Sequence, residues 1–405
     1  MAHPDNLSPS VIPPQGPIGI SILGATGSIG QQALEVVAAH PGRFRVVALT
    51  AQSNCERLIA QALRYRPELV VIGDTGAYPA LKAALAGTSI QVLAGAEGLE
   101  VAAAWPTADR VLTAVVGAAG LKPTVAAIAA GKTLCLANKE TLVVAGAYIR
   151  RLAQRHGVTI LPVDSEHSAL FQALVGEAPA SVHKLILTAS GGPFRGYTRA
   201  QLAEVTVAAA LKHPNWVMGA KITIDSASLL NKGLEVIEAR WLFDVPAERI
   251  EVIIHPQSIV HSLVEFTDGS LKAQLGTPDM RLPIQYALAY PERLGNDFPR
   301  FRFSDHPSLT FEPADGSVFR ALDLAFAALG AGGNRPCVFN AAGEVANAAF
   351  RAGRLPFLGM YHALEHALAT VPQGPEDELE ALVAADAETR ALTEAFVARQ
   401  PQPVS

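Results

Sequence analysis

Cysteine is scarce in this chain: Cys55, Cys135 and Cys337 are the only three in 405 residues, and no two form a C-x-x-C pair. That excludes a disulfide framework and gives no thiolate metal site, and it suits a reducing cytoplasm as the expected compartment. Long apolar runs are missing too. The longest, Val111 to Leu121, falls short of the ~18 to 20 residues that cross a bilayer, so no transmembrane segment is expected. Charge of one sign is not in excess, the net charge being −5 with charges scattered along the chain. Without a basic stripe or cationic patch, neither nucleic acid nor a membrane surface is an expected partner. Residues 1–17, rich in Pro and polar groups, have no basic leader and no apolar core, and are expected to be a disordered tail rather than a signal peptide.

What is abundant is apolar side chain. Half of the residues are hydrophobic, and at this length they exceed what one core usually serves, so two or three domains are expected. From Ile18 to about Pro162, apolar β-branched runs (IGISIL, FRVVALT, ELVVIG, RVLTAVVG, TLCLAN, VTILPV) alternate with helical segments, among them one from about Ser28 to Ala39 and one near Arg57 to Tyr65. This alternation predicts an α/β fold, a Rossmann-like doubly wound parallel sheet over 18–163. Residues 164–290 mix Ser, Gly, Asn, His and acids between KLILTA, IEVIIH and SIVHSLVEF, as a central α+β catalytic domain would. Four prolines from Pro291 to Pro313 predict a linker over 291–313. Ser317 to Leu329, Val338 to Ala352, Tyr361 to Thr370 and Glu376 to Ala398 space their apolar residues at three and four, which predicts a C-terminal helical bundle over 314–405.

Gly24, Gly27 and Gly30 in GATGSIG fall between the first strand and the first helix. There a dinucleotide pyrophosphate meets backbone amides, although a tight turn alone would also use glycine. The second strand ends at Thr50 with no acid to accept the adenosine ribose hydroxyls. Instead Gln52, Ser53 and Asn54 follow, with Arg57 one turn on, donors that tolerate a 2′-phosphate and lean toward NADP.

The strand VTILPV runs into Asp164-Ser165-Glu166. If the backbone stays extended, the two carboxylates share a face and could bind a hard cation or act as acid and base. The same residues before His167 also fit a helix cap. Further on, Asp225-Ser226-Ala227-Ser228 leads to Asn231, Lys232 and Glu235. On a helix Ser228, Asn231, Lys232 and Glu235 would share one side, a set of donors suited to an anion, with Glu235 able to complete a metal site. Ser190-Gly191-Gly192-Pro193 is a third loop apt for phosphate or simply a turn, and His213-Pro214-Asn215-Trp216 reads as a turn bearing a large aromatic.

GATGSIG, Ala137-Asn138-Lys139-Glu140, VDSEHSA, SGGPF, HPNW and NKGLE occur in this order, and together the chain resembles the 1-deoxy-D-xylulose 5-phosphate reductoisomerases over nearly its whole length. The resemblance implies an NADPH-dependent oxidoreductase and isomerase, requiring Mg²⁺ or Mn²⁺, that acts on a small phosphorylated ketose in isoprenoid biosynthesis. It implies Asp164, Glu166 and Glu235 as metal ligands, and Ser190, His213, Ser226, Asn231 and Lys232 as phosphate ligands. Ser165 and Lys139 would face the reacting carbons, and Trp216 would ride on a lid. Thr26, Gly27, Ser28, Ile29, Asn54, Asn138, Glu140 and Gly219 would line the cofactor, with Gln52 and Ser53 at its 2′-phosphate end. A homodimer is implied. The chain departs from the family where Gln52-Ser53 stands in place of Gly followed by Lys or Arg, and where Gly343 follows Asn340-Ala-Ala in place of Asn.

Two other signals point elsewhere. His362-x-x-Glu365-His366 matches a zinc-protease pattern, but lies in the Ala-rich helical region with no further carboxylate site. A semialdehyde dehydrogenase would need a cysteine nucleophile, whereas Cys135 lies in an apolar strand. A nonenzymatic redox sensor would leave the acid cluster without a purpose.

Overall fold

The computed structural model describes residues 16–216 and 218–400, so the expected tail lies outside them except for Gly16 and Pro17. The chain divides into two compact units. One holds the residues up to Thr141, Arg151–Phe171 and Asp279–Pro299; the other holds Leu142–Arg150, Gln172–Pro278 and the chain from Arg300 onward.

In chain order, the first stretch forms β1 (Ile18–Leu23), α1 (Ser28–Ala39), β2 (Phe44–Ala51), α2 (Cys55–Tyr65), β3 (Leu69–Ile72), α3 (Tyr78–Ala84), β4 (Gln91–Ala94), α4 (Gly95–Ala103), β5 (Arg110–Thr113), α5 (Leu121–Ala129), β6 (Thr133–Leu136), α6 (Glu140–His156), β7 (Ile160–Pro162) and α7 (Ser165–Leu174). The seven strands make one parallel sheet ordered β4-β3-β2-β1-β5-β6-β7, the doubly wound arrangement that the alternation predicts. β1 is buried along its length, as a central strand covered on both faces must be. Chain order reverses between β1 and β5, which makes the end of β1 a topological switch point, where such sheets bind ligands. Only β4 escapes the sequence pattern, because it is a short, partly exposed edge strand with no run of buried apolar residues.

The chain continues as β8 (Val182–Ala189), α8 (Arg199–Ala203), α9 (Val207–Ala210), α10 (Ala220–Ala227), α11 (Leu230–Phe243), β9 (Ile250–Ile254), β10 (Val260–Phe266), β11 (Leu271–Leu275), α12 (Arg281–Ala289), β12 (Glu312–Pro313), α13 (Arg320–Ala331), α14 (Arg335–Arg351), α15 (Phe357–Thr370) and α16 (Leu379–Arg399). α12 belongs to the first unit. There the buried Arg110 side chain donates to the carbonyls of Ala287 and Tyr290 at its end, 2.7 and 2.5 Å away. The second unit is built on a mixed sheet ordered β11-β10-β8-β9-β12. Its helix α14 is buried on nearly every face and is packed by α13, α15 and α16. It starts earlier than the apolar spacing suggests, since Pro336 suits the first turn of a helix.

Candidate active site

The loop after β1 turns sharply because Gly24 adopts φ +87°, and a Cβ there would lie 2.6 Å from the Ala114 carbonyl oxygen. Gly30 lets α1 close on the same loop, since its Cβ would meet the Gly24 oxygen at 2.4 Å. Gly27 is the N-cap of α1, and no side chain caps the helix and no acid stands in its first turn. The first amides therefore point outward without a side-chain acceptor, beside Thr26, Ser28 and the half-buried Ile29, and can receive an anion.

At the end of β2, Thr50 fixes this loop by accepting the Gly24 N–H at 2.9 Å. Gln52 leans over Gly73, whose Cβ would sit 2.3 Å from the Gln52 Oε1. Asn54 Oδ1 caps α2 by accepting from the Arg57 amide at 3.1 Å. Ser53 stays exposed, and the Arg57 guanidinium reaches back to the Thr26 carbonyl at 3.3 Å, which carries a positive charge to the glycine loop.

Asn138 is buried and committed: its amide donates to the carbonyls of Val115 and Gly117 and to Glu140 Oε2, at 2.6, 3.0 and 3.0 Å. It thus ties the loop after β5 to the start of α6. Lys139, next in sequence and also buried, places Nζ 2.5 Å from Asp164 Oδ2. His167 Nδ1 lies 3.1 Å from the other oxygen of that carboxylate. Burial would raise the Asp164 pKa, but Lys139 and His167 outweigh it and hold the carboxyl well below the usual range. The extended-chain arrangement of Asp164 and Glu166 is corrected here. Helix α7 begins at Ser165, and Asp164 caps it by accepting the Glu166 amide at 3.2 Å. Glu166 stands in the first helical turn, where a carboxylate is favoured, and takes a 2.5 Å hydrogen bond from Ser165 Oγ.

In the second unit, His213 Nδ1 accepts the backbone N–H groups of Asn215 and Trp216 at 3.2 and 3.0 Å. Its proton must then be on Nε2, which donates to Ser190 Oγ at 3.0 Å. Burial lowers the His213 pKa, which keeps the ring neutral near pH 7. Ser190 Oγ also accepts from the Gly192 amide at 3.2 Å, so its own hydrogen is left to donate outward. Gly192, at φ +64°, brings this loop onto α10: a Cβ would lie 3.0 Å from Ala227 Cα and 3.2 Å from the Ser226 carbonyl oxygen. Asn215 anchors the turn by donating to the Pro256 carbonyl and Ser258 Oγ, at 2.5 and 3.0 Å. The half-buried Trp216 ring tilts against His261 with centroids 6.2 Å apart.

The shared helical face assigned to Ser228, Asn231, Lys232 and Glu235 is corrected in part. Ser228 closes α10, and Leu229 at φ 56° breaks the helix before α11. The Ser228 hydroxyl turns inward to the carbonyls of Ile224 and Asp225, at 3.0 and 3.2 Å. On α11, Asn231 Nδ2 donates to Glu235 Oε1 at 2.5 Å, and the buried Lys232 is ion-paired with the buried Glu235. Gly219, the N-cap of α10, has open space where a Cβ would be. Sequence reasoning missed His167, Asn215 and Asp225 as supports. The first two lie inside recognisable motifs and could have been found there.

The three side chains of the zinc-protease pattern are engaged with separate partners. His362 lies 3.5 Å from Arg199, Glu365 takes hydrogen bonds from Arg320, and His366 stacks on Phe396. Cys135 is fully buried in β6, which pushes its thiol up to about 11 and removes it as a nucleophile.

Family models described as 1-deoxy-D-xylulose 5-phosphate reductoisomerase, its C-terminal domain, and DXP reductoisomerase C-terminal domain match residues 20–146, 160–243 and 275–392. A 1-deoxy-D-xylulose 5-phosphate reductoisomerase of Bacteroides fragilis is 54% identical over 381 residues, covering 94% of this chain and 98% of that protein. The enzyme of the same name from Symbiobacterium thermophilum is 54% identical over 372 residues, 91% of this chain and 96% of its own. Among solved structures, the Zymomonas mobilis reductoisomerase in complex with NADPH aligns with TM-score 0.89 at 44% identity, covering 95% of this chain and all of that one. A DOX-P reductoisomerase in complex with NADPH, fosmidomycin and magnesium aligns with TM-score 0.91 at 40% identity, covering 94% of this chain and 98% of that one.

Proposed function

The chain belongs to the 1-deoxy-D-xylulose 5-phosphate reductoisomerase family, and on that premise we propose that it converts 1-deoxy-D-xylulose 5-phosphate to 2-C-methyl-D-erythritol 4-phosphate for isoprenoid precursor synthesis. NADPH and a divalent cation, Mg²⁺ or Mn²⁺, serve as cofactors, as in the similar structures solved with NADPH and magnesium. The observation that carries the reading is the anion cradle of the second unit. A neutral imidazole with its proton on Nε2, a hydroxyl with a hydrogen to spare and a glycine loop packed against Ser226 suit a phosphate monoester. Asn231 and the cation of Lys232 add donors on α11.

Thr26, Gly27, Ser28 and Ile29 line the cofactor's pyrophosphate, Ser53 and Asn54 its adenosine end, and Asn138, Glu140 and Gly219 the rest. Gln52 is expected to contribute least, since it leans away over Gly73. When bound, NADPH supplies the hydride. Asp164, Glu166 and Glu235 are the ligands for the cation, an all-oxygen set that suits a hard ion, and Asp164 is fully ionised at neutral pH. The cation, when present, polarises the ketone and the adjacent hydroxyl.

The chain's own groups do the remainder. Lys139, buried and cationic, holds a proton near the substrate oxygens while the C3–C4 bond breaks and the fragments rejoin as a branched aldehyde, which hydride and a proton then reduce. Ser165 faces the same carbons. Trp216, carried on a turn anchored by Asn215, keeps water from the reactive aldehyde. We place the enzyme in the cytoplasm as a homodimer; its scarcity of cysteine supports a reducing compartment. Among the described residues no helix is long and apolar enough to cross a membrane.

The test is an NADPH-oxidation assay with the pentulose phosphate and Mg²⁺, with the product identified by NMR. A branched tetrol phosphate supports the assignment, and an unbranched polyol phosphate refutes the rearrangement.

A further inference from the structure

We propose that the C-terminal helices are a working part of the phosphate site, and that Asn347 is a positioning residue for the substrate phosphate. The inference rests on the anion cradle being the substrate site argued above. Its basis is the junction between α10 and α11, which carries Ser226, Asn231 and Lys232 and is held from outside at three points.

Asn347, fully buried on α14, donates from Nδ2 to Asp225 Oδ1 at 2.7 Å and to the Lys221 carbonyl at 2.9 Å. Arg351 can only donate, and its Nε meets Asn347 Oδ1 at 2.8 Å, which fixes the carboxamide with its amino group toward Asp225. Lys221 Nζ, 3.1 Å away, completes the surroundings of the buried Asp225 carboxylate. On α15 the buried Tyr361 hydroxyl donates to the Ser228 carbonyl at 3.2 Å, immediately before the left-handed Leu229. On α14 a Cβ at Gly343 would lie 3.0 Å from Leu230 Cδ2, so the missing side chain makes room for the first residue of α11.

Two of the contacts bear on a residue adjoining a phosphate donor, since Asp225 precedes Ser226 and Leu230 precedes Asn231, and the third holds Ser228 between them. The junction is a break between two helices with a residue at positive φ, so it has no continuous helical ladder to hold it. α14 and α15 supply the restraint. Loosening it misplaces first the donors nearest the junction, Ser226 and Asn231, while Glu235 lies a turn further along α11.

Steady-state kinetics of Asn347→Leu and Tyr361→Phe test this, together with inhibition by inorganic phosphate and NADPH binding followed by fluorescence. For Asn347→Leu the KM for the ketose phosphate and the inhibition constant for phosphate should rise about tenfold, the size of one lost buried hydrogen bond to a charged group. The kcat and the dissociation constant for NADPH should change little. Tyr361→Phe, which removes only one oxygen, should move the same constants by less and covers the case in which Asn347→Leu fails to fold. Val397→Ala in α16 is the control for destabilisation alone. Unchanged phosphate constants in both junction variants overturn the inference, as does an equal rise in the control. If the wild-type chain makes no branched product, the assignment of the reaction fails instead, and the phosphate constants still report on the junction.

Discussion

Lys139 Nζ and Asp164 Oδ2 stand 2.5 Å apart, a buried cation set against a carboxylate that also takes a hydrogen bond from His167. The pair stands at the carboxyl ends of β6 and β7, where an open parallel sheet builds its chemistry. Replacing Lys139 with Met removes the group proposed to hold the proton and leaves the glycine loop intact. Turnover should fall at least about 10²-fold, the usual contribution of a positioned proton donor, while NADPH binding by fluorescence stays as in wild type. Retention of most of the kcat would remove Lys139 from the chemistry.

Three carboxylates without thiolate or paired histidine ligands predict a hard cation. Glu235→Gln should abolish metal-dependent turnover, as should excess chelator, with activity restored to the wild type by Mg²⁺ or Mn²⁺. Full activity in the variant, or in chelator, is the outcome that sinks the ligand set.

We propose that Arg57, whose guanidinium lies 3.3 Å from the Thr26 carbonyl, supplies the charge for the adenosine 2′-phosphate that the neutral positions just after β2 lack. A charge-assisted hydrogen bond is roughly twice as strong as a neutral one, so Arg57→Ala should weaken NADPH more than NADH. Ser53→Arg should widen the preference. The measurement is kcat/KM and the dissociation constant for both nucleotides in the three proteins, and a native preference for NADH would overturn the cofactor claim.

His261 on β10 should make the fold acid-sensitive. Burial pulls its pKa down to about 4, against the carbonyls of Thr277 and Gly276, with His255 and Lys232 nearby also disfavouring the charge. Because the unfolded chain binds this proton first, stability is full above about pH 6.5 and declines as pH falls toward 4. The loss is about 3 kcal/mol at most by linkage. Melting temperatures across this range should fall less in His261→Gln than in wild type, and identical slopes would show that another group sets the acid limb.

The readable parts of this chain were local ones. GATGSIG, VDSEHSA and NKGLE declare themselves because their glycines, acids and donors act within a turn or two of one another. The alternating apolar runs likewise give the parallel sheet. The carboxylates of Asp164 and Glu166 do converge, with oxygens within 4.8 Å of each other, but not on an extended face, because the helix starts one residue after Asp164, and a cap and a strand end look alike in sequence. Ser228 was grouped with Asn231 and Lys232 because nothing in its neighbours reveals that Leu229 turns left-handed. β11, whose LKAQL is largely exposed at a sheet edge, lacks the buried alternation that marks a strand. Asn347 gave no signal at all, since its partner lies 122 positions away.

That separation also sets an order of events during synthesis. The nucleotide loop and its sheet are complete in the first part of the chain to emerge from the ribosome, and domains fold as their segments appear. The turn before α11 emerges with its donors already in the sequence, but Asn347 and Tyr361 are made much later. On the role proposed for Asn347, the growing polypeptide can form its parallel sheet while the junction before α11 is still unbraced, so full grip on the substrate phosphate would be gained only near the end of translation.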